Sequence, residues 1–136
     1  MVDLMELDEK ECWSRLRMQV VGRVGFDVGR GPRIHPVNYR VDDGRVLLRI
    51  SEQSELALFV DLFHDGSLLA FEVDEVDHSW HHGWSVLVSG KPRRVVDADE
   101  LERLAQSWPR PWAPGERDYV LVLEPVEVTG RLLGVR

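Results

Sequence analysis

The chain has 136 residues, the length of one ordinary domain, and can bury roughly two thirds of its unfolded surface without metals or disulfides, so one domain over 1–136 is expected. Its 17 Lys and Arg stand against 24 Asp and Glu, a formal charge of −7, which argues against a nucleic-acid backbone or an anionic membrane as main partner. Cys12 is the single cysteine and cannot form an intrachain disulfide; with no apolar run of signal or transmembrane length, the cytoplasm is the expected compartment.

Asp8 followed by Glu11 predicts a capped first helix to about Met18, with Cys12 and Leu16 spaced four apart on its buried side. Val20, Val21, Val24 and Phe26 predict a strand to about Asp27, broken by Gly29, Gly31 and Pro32. A hairpin follows. Its arms alternate through His35, Val37, Tyr39 and Val41 and through Val46, Leu48 and Ile50, and Asp43-Gly44 supplies the tight turn.

Ser54 is placed to cap a second helix, where Leu56, Phe59, Val60 and Phe63 form an apolar stripe ending at Asp65 and Gly66. Leu68 to Val76 reads as a strand with Leu69, Phe71 and Val73 inward and the acidic run from Glu72 to Asp77 on a solvated face. The histidines of HSWHH, His78, His81 and His82, belong to a solvated turn, because no second ligand pair stands at structural-site spacing; no metal site is expected.

From about Gly83 to Val96 a long strand carries Trp84, Val86 and Val88 on one face, with an irregularity expected near Gly90 and Pro92. Asp97 and Glu100 predict a third helix with Leu101, Leu104, Ala105 and Trp108 on its buried side, stopped by Pro109, Pro111 and Pro114. A last strand runs from Asp118 to about Thr129 and ends near Gly130. Trp13, Trp80, Trp108 and Trp112 are expected in core or interface packing. The class is mainly β with short helices (α+β), and six strands suffice to close a small barrel.

The segments GRVGF, PRIHPVNYRVDDG, LLAFEVDEVD, GWSVLVSG, PWAPGERD and EVTGR, in this order, resemble the pyridoxamine 5′-phosphate oxidase-like family, and within it the small actinobacterial type. The resemblance spans nearly the whole chain. It implies a homodimer of six-stranded split β-barrels of Greek-key type, with FMN in a groove at the dimer interface and redox chemistry on a small-molecule substrate. By the same resemblance the flavin ring lies along Ile34, His35, Pro36, Val37 and Asn38. The phosphate end falls at Arg49, Ile50, Ser51, Ser54 and Glu55, and Trp84 and Ser85 close the site near the ring. His35 is the one titratable side chain on the ring strand, and no residue is singled out as catalytic acid, base or nucleophile.

The phosphate loop departs from the family pattern. Ile50 stands where a hydroxyl binds phosphate, Gln53 where a Gly eases close approach, and Glu55 where a Lys neutralises the charge. Two readings therefore stand side by side. One is an FMN-dependent oxidoreductase, though not pyridoxamine phosphate oxidase itself, since Arg131 and Arg136 lack a matching C-terminal Trp. The other is a non-catalytic split-barrel binding protein that has lost FMN or holds a deazaflavin or haem.

Overall fold

The computed structural model describes residues 2–63, 66–105 and 119–135, and among these the chain forms seven strands and three helices. In chain order they are β1 (Val2–Leu7), α1 (Glu9–Leu16), β2 (Val21–Asp27), β3 (Pro32–Asp42), β4 (Arg45–Ile50), α2 (Glu55–Leu62), β5 (Leu69–Asp77), β6 (His82–Arg94), α3 (Ala98–Leu104) and β7 (Tyr119–Val135). Asp65, Trp108, Pro109, Pro111, Trp112, Pro114, Asp118 and Arg136 lie outside the described residues.

All strand pairs are antiparallel, and the order β7-β4-β3-β2-β5-β6 closes on itself through a β6–β7 pairing. The closed barrel therefore has six strands. Successive strands β2, β3 and β4 are neighbours and β5 returns to lie beside β2, which is the Greek-key arrangement. β1 is an added strand on β7, with Leu7 opposite Gly130 and Val2 opposite Val135.

Local chemistry explains the elements. Asp8, Ser54 and Asp97 each accept a hydrogen bond from the backbone N–H three residues on, at 2.8, 3.1 and 2.9 Å, so all three helices start at side-chain caps. The β3–β4 turn puts Asp43 at φ 50° and Gly44 at φ 72°, the paired positive values that a two-residue hairpin needs. The β6–β7 register slips between Ser89 and Gly90, and the expected irregularity sits there.

The barrel interior is filled by alternate strand residues, Val24 and Phe26, Tyr39, Val46 and Leu48, Phe71 and Val73, Trp84, Val86 and Val88, and Tyr119, Leu121 and Leu123. Cys12 and Leu16 of α1, and Leu56, Ala57, Phe59 and Val60 of α2, join the same core. Tyr39 donates its hydroxyl hydrogen to Leu16 O at 2.5 Å, tying the end of α1 to the barrel. α3 covers the outer face, where Leu104 packs with Leu47, Val95, Val120 and Val122.

Several expectations are corrected. β7 does not end near Gly130 but runs to Val135, because β6 and β1 hold both of its edges there. Ala105 is exposed rather than on the buried side of α3, since the helix turns only Leu101 and Leu104 toward the barrel. Trp80 is not a core residue: it is 75% exposed on the β5–β6 turn, where Asp77 accepts from the Ser79 and Trp80 amides and orients the loop outward. Trp84, Val86 and Val88 are buried within one chain. No described helix is long and apolar enough to cross a membrane.

Candidate functional site

The hairpin arms β3 and β4 stay paired only from the turn to Tyr39 opposite Leu48. Beyond that point they part. β4 continues through Arg49 and Ile50 against Val120 and Tyr119 of β7, while β3 continues from Asn38 to Pro32 against β2. Along this stretch β3 has no strand partner on its β4 side among the described residues, so half of its backbone donors and acceptors face the opening.

The opening is a groove of about 320 Å³ lined by Val21, His35, Pro36, Val37, Asn38, Arg49, Ile50, Ser51, Ser54 and Leu56. Most of the residues expected at the ring and phosphate positions thus meet in one place. Val21 and Leu56 are additions, supplied by the strand beside β3 and by the first turn of α2. Ile34 is not part of the groove: it is 69% exposed and lines a separate hollow with Arg23, Gly25 and Ala70, because alternation turns it to the outer face. Trp84 is 4% exposed and walls a third groove with Met5, Arg15, Met18 and Leu132, the Arg15 guanidinium lying 5.8 Å from its ring centroid. Ser85 sits between Asp74 and Arg131 in the sheet. Within one chain, Trp84 and Ser85 do not meet the groove.

The polar end of the groove is tightly arranged. The Ser54 hydroxyl accepts from Ala57 N at 3.1 Å and donates to Ser51 O at 2.8 Å, so it is committed to the cap and the turn before it. Ser51 Oγ accepts from Gln53 N at 3.2 Å. Glu52 is held from outside by Arg94, whose guanidinium stacks 4.2 Å from the Tyr119 ring centroid. Tyr119 in turn donates to Asp61 Oδ1 at 2.9 Å, and burial pushes its hydroxyl pKa up.

Glu55, first residue of α2, turns to β3. Its carboxylate lies 3.6 Å from Arg33 Nε and 3.9 Å from His35 Nε2, and the His35 ring stands edge-on to Phe26 at 5.0 Å. Arg33 was absent from the sequence-derived site, although its place two residues before His35 on an alternating strand puts both on one face.

The acidic run on β5 is also more structured than a solvated face. Glu72 and Asp74 converge on Arg23 Nη1 at 3.2 and 2.8 Å, and burial together with the neighbouring Asp74 pushes the Glu72 carboxyl up to about 7.

A strand edge with no strand partner among the described residues, beside aliphatic walls and with Arg49 at one end, suits a flat heteroaromatic ring bearing carbonyls and ring nitrogens. Backbone groups can meet its edge, and Val21, Val37 and Leu56 can cover its faces. Residues 8–132 match the family model described as pyridoxamine 5′-phosphate oxidase. The chain belongs to the pyridoxamine 5′-phosphate oxidase family. The chain is 36% identical over 129 residues to the uncharacterized protein Rv0080 of Mycobacterium tuberculosis, covering 94% of this chain and 84% of that one. The solved structure of an FAD-binding protein from Mycobacterium smegmatis superposes with a TM-score of 0.77 at 27% identity, over 94% of this chain and 97% of the other. A Corynebacterium glutamicum structure, provisionally named a pyridoxamine 5′-phosphate oxidase, gives 0.82 at 28% identity, over 98% and 95%. The family's flavin-binding split barrel is thus the fold of this chain.

Proposed function

We propose that this chain binds a flavin in the groove between β3 and β4 and serves as a flavin-dependent oxidoreductase for a small organic substrate. The observation that carries this reading is the open backbone edge of β3 facing aliphatic walls, in a chain of this family. When bound, the flavin supplies the electron chemistry; the protein supplies position and electrostatics. Backbone groups along 35–38 would fix the ring edge, Val21, Val37 and Leu56 would keep water from its faces, and Arg49 would meet charge at the ribityl end. The resemblance implies FMN, whereas FAD is the form in the name of the Mycobacterium smegmatis relative. The ring of either fits the same edge.

A homodimer in the cytoplasm is part of the proposal. Met5, Met18 and Ile34 are each more than 60% exposed and offer apolar surface to a second copy. Because Trp84 is remote from the groove within one chain, any contact it makes with the ring requires that second copy.

Visible absorbance of the purified protein, before and after incubation with flavin and removal of excess, tests the binding step, and sedimentation of the same sample tests the dimer. Retained flavin on a dimer is expected. A flavin-free monomer after incubation would overturn the proposal, and retained flavin that no reductant and acceptor pair can cycle would favour the binding-protein reading.

A further inference from the structure

We infer that the groove walled by Trp84, apart from the flavin groove, binds a small aromatic molecule carrying a cationic nitrogen. The two grooves share no lining residue, so this site stands whether or not a flavin binds.

The groove exists because β5 outruns its neighbour β2. Their pairing stops at Arg23 opposite Glu72, while β5 and β6 stay paired as far as Asp77 opposite His82. Leu69, Phe71 and Val73 face the core, and the same two-residue alternation then brings Glu75 and Asp77 to the phase that apolar side chains hold inside the barrel. Register sets Glu75 beside Trp84, and Trp84 beside Leu132 of β7, in one row across three strands. With Met5 and Met18, both more than 60% exposed, these residues help to enclose about 580 Å³, a volume suited to a small molecule.

Charge then selects the ligand. Glu75 accepts from the Gln19 amide at 2.6 Å, and Asp77 accepts from the Ser79 and Trp80 amides at 2.9 and 3.1 Å. Neither carboxylate meets a cation among the described residues. Arg15 also lines the groove, but Glu11 already pairs with it at 3.0 Å. Its guanidinium lies 5.8 Å from the Trp84 ring centroid, close to the outer limit of a cation–π contact. The ring thus already faces a positive charge, and holds it loosely. Because Trp84 is only 4% exposed, a ligand reaches its face by taking the place of Arg15, which stays tethered to Glu11. The aromatic body of the ligand then lies against Trp84, Leu132 and the two thioethers, and its nitrogen meets Glu75 and Asp77. The formal charge of −7 on the chain draws such cations and repels anions.

Titration with 2-phenylethylamine, 2-phenylethanol and 3-phenylpropanoate, followed by calorimetry and by the Trp84 indole N–H resonance, tests this. The resonance is assigned by its loss in Trp84→Phe. At pH 8, the alkaline end of the range in which histidine changes charge, His82 adds no cation to the groove. The amine should bind at least about fivefold more tightly than the alcohol, the carboxylate should bind most weakly, and the amine's advantage should shrink with salt. Glu75→Gln and Asp77→Asn should each weaken the amine by at least about twofold and leave the alcohol unmoved, while Arg15→Gln should tighten the amine. The comparison of the three probes on the unmodified chain stands even if a variant fails to fold. An alcohol that binds as tightly as the amine, or an amine that leaves the Trp84 resonance unmoved, would overturn the inference. So would displacement of the amine by riboflavin, which would give the groove to the flavin of a second copy. Amine affinity that falls as protein concentration rises would overturn it too, by showing that a second copy covers Met5 and Met18.

Discussion

At Glu72 a carboxyl is drawn partly out of water beside Asp74, with Arg23 offsetting only some of the cost, and its pKa is pushed up to about 7. The folded chain therefore holds a proton there that the unfolded chain releases near the ordinary value of 4.5. More protons bound in the folded state means that stability falls as pH rises, here between about 4.5 and 7. Urea midpoints at pH 5 and pH 8 check this: the drop on raising the pH should be larger in the unmodified chain than in Glu72→Gln. An identical drop in both would show that the Glu72 carboxyl has its usual affinity for protons. Alternation along LAFEVDEVD correctly turned Leu69, Phe71 and Val73 inward and the carboxylates outward. What it could not reveal was Arg23 on the adjacent strand, because Arg23 opposite Glu72 is a register fact between residues 49 apart. Glu55 is similar: the sequence showed a reversed charge, but only the pairing of helix start with strand shows where that charge is held.

On the scale of elements, α2 illustrates how local and tertiary signals agree. Ser54 caps it, Leu56, Phe59 and Val60 are buried as their spacing predicted, and Phe59 packs its ring against Phe26 and Phe63 at 5.8 and 5.2 Å. Phe59→Ala should therefore lower the unfolding free energy by about 3 kcal/mol or more in chemical denaturation. An unchanged midpoint would show that the stripe is not part of the core. Since Leu56 of the same helix lines the groove, loosening α2 should weaken ligand binding as well. Helix starts and hairpin turns were legible because each is set by three or four adjacent residues. The extension of β7 was not, because Gly130 reads as a strand stop. Its actual role is steric: a Cβ there would stand 2.6 Å from Cys12 Sγ, so the glycine is what lets α1 lie on β7 while the strand continues. β1 was missed for the complementary reason that its only strand partner among the described residues is that extension.

For the whole molecule, the closed barrel was foreseeable from six apolar strands and its split form from the family resemblance, whereas the point at which the hairpin arms part was not. Alternation in PRIHPVNYRVDDGRVLLRI describes one continuous hairpin, yet the arms separate after Tyr39 and Leu48 because β2 and β7 hold their outer edges apart. Resemblance supplied the ring strand and the loop as separate segments, and the fold brings His35, Pro36, Val37 and Asn38 against Arg49, Ile50, Ser51 and Ser54. The central claim is that this split is a flavin site. Riboflavin tests it most directly, because it carries no phosphate and so is independent of the charge at Glu55. Titrated into flavin-stripped protein with fluorescence readout, it should saturate at one molecule per chain, and Ser51→Trp, which fills the groove with an indole, should weaken it by at least about tenfold in a protein that stays folded. No saturable binding to the unmodified chain, or undiminished binding to folded Ser51→Trp, would contradict the account.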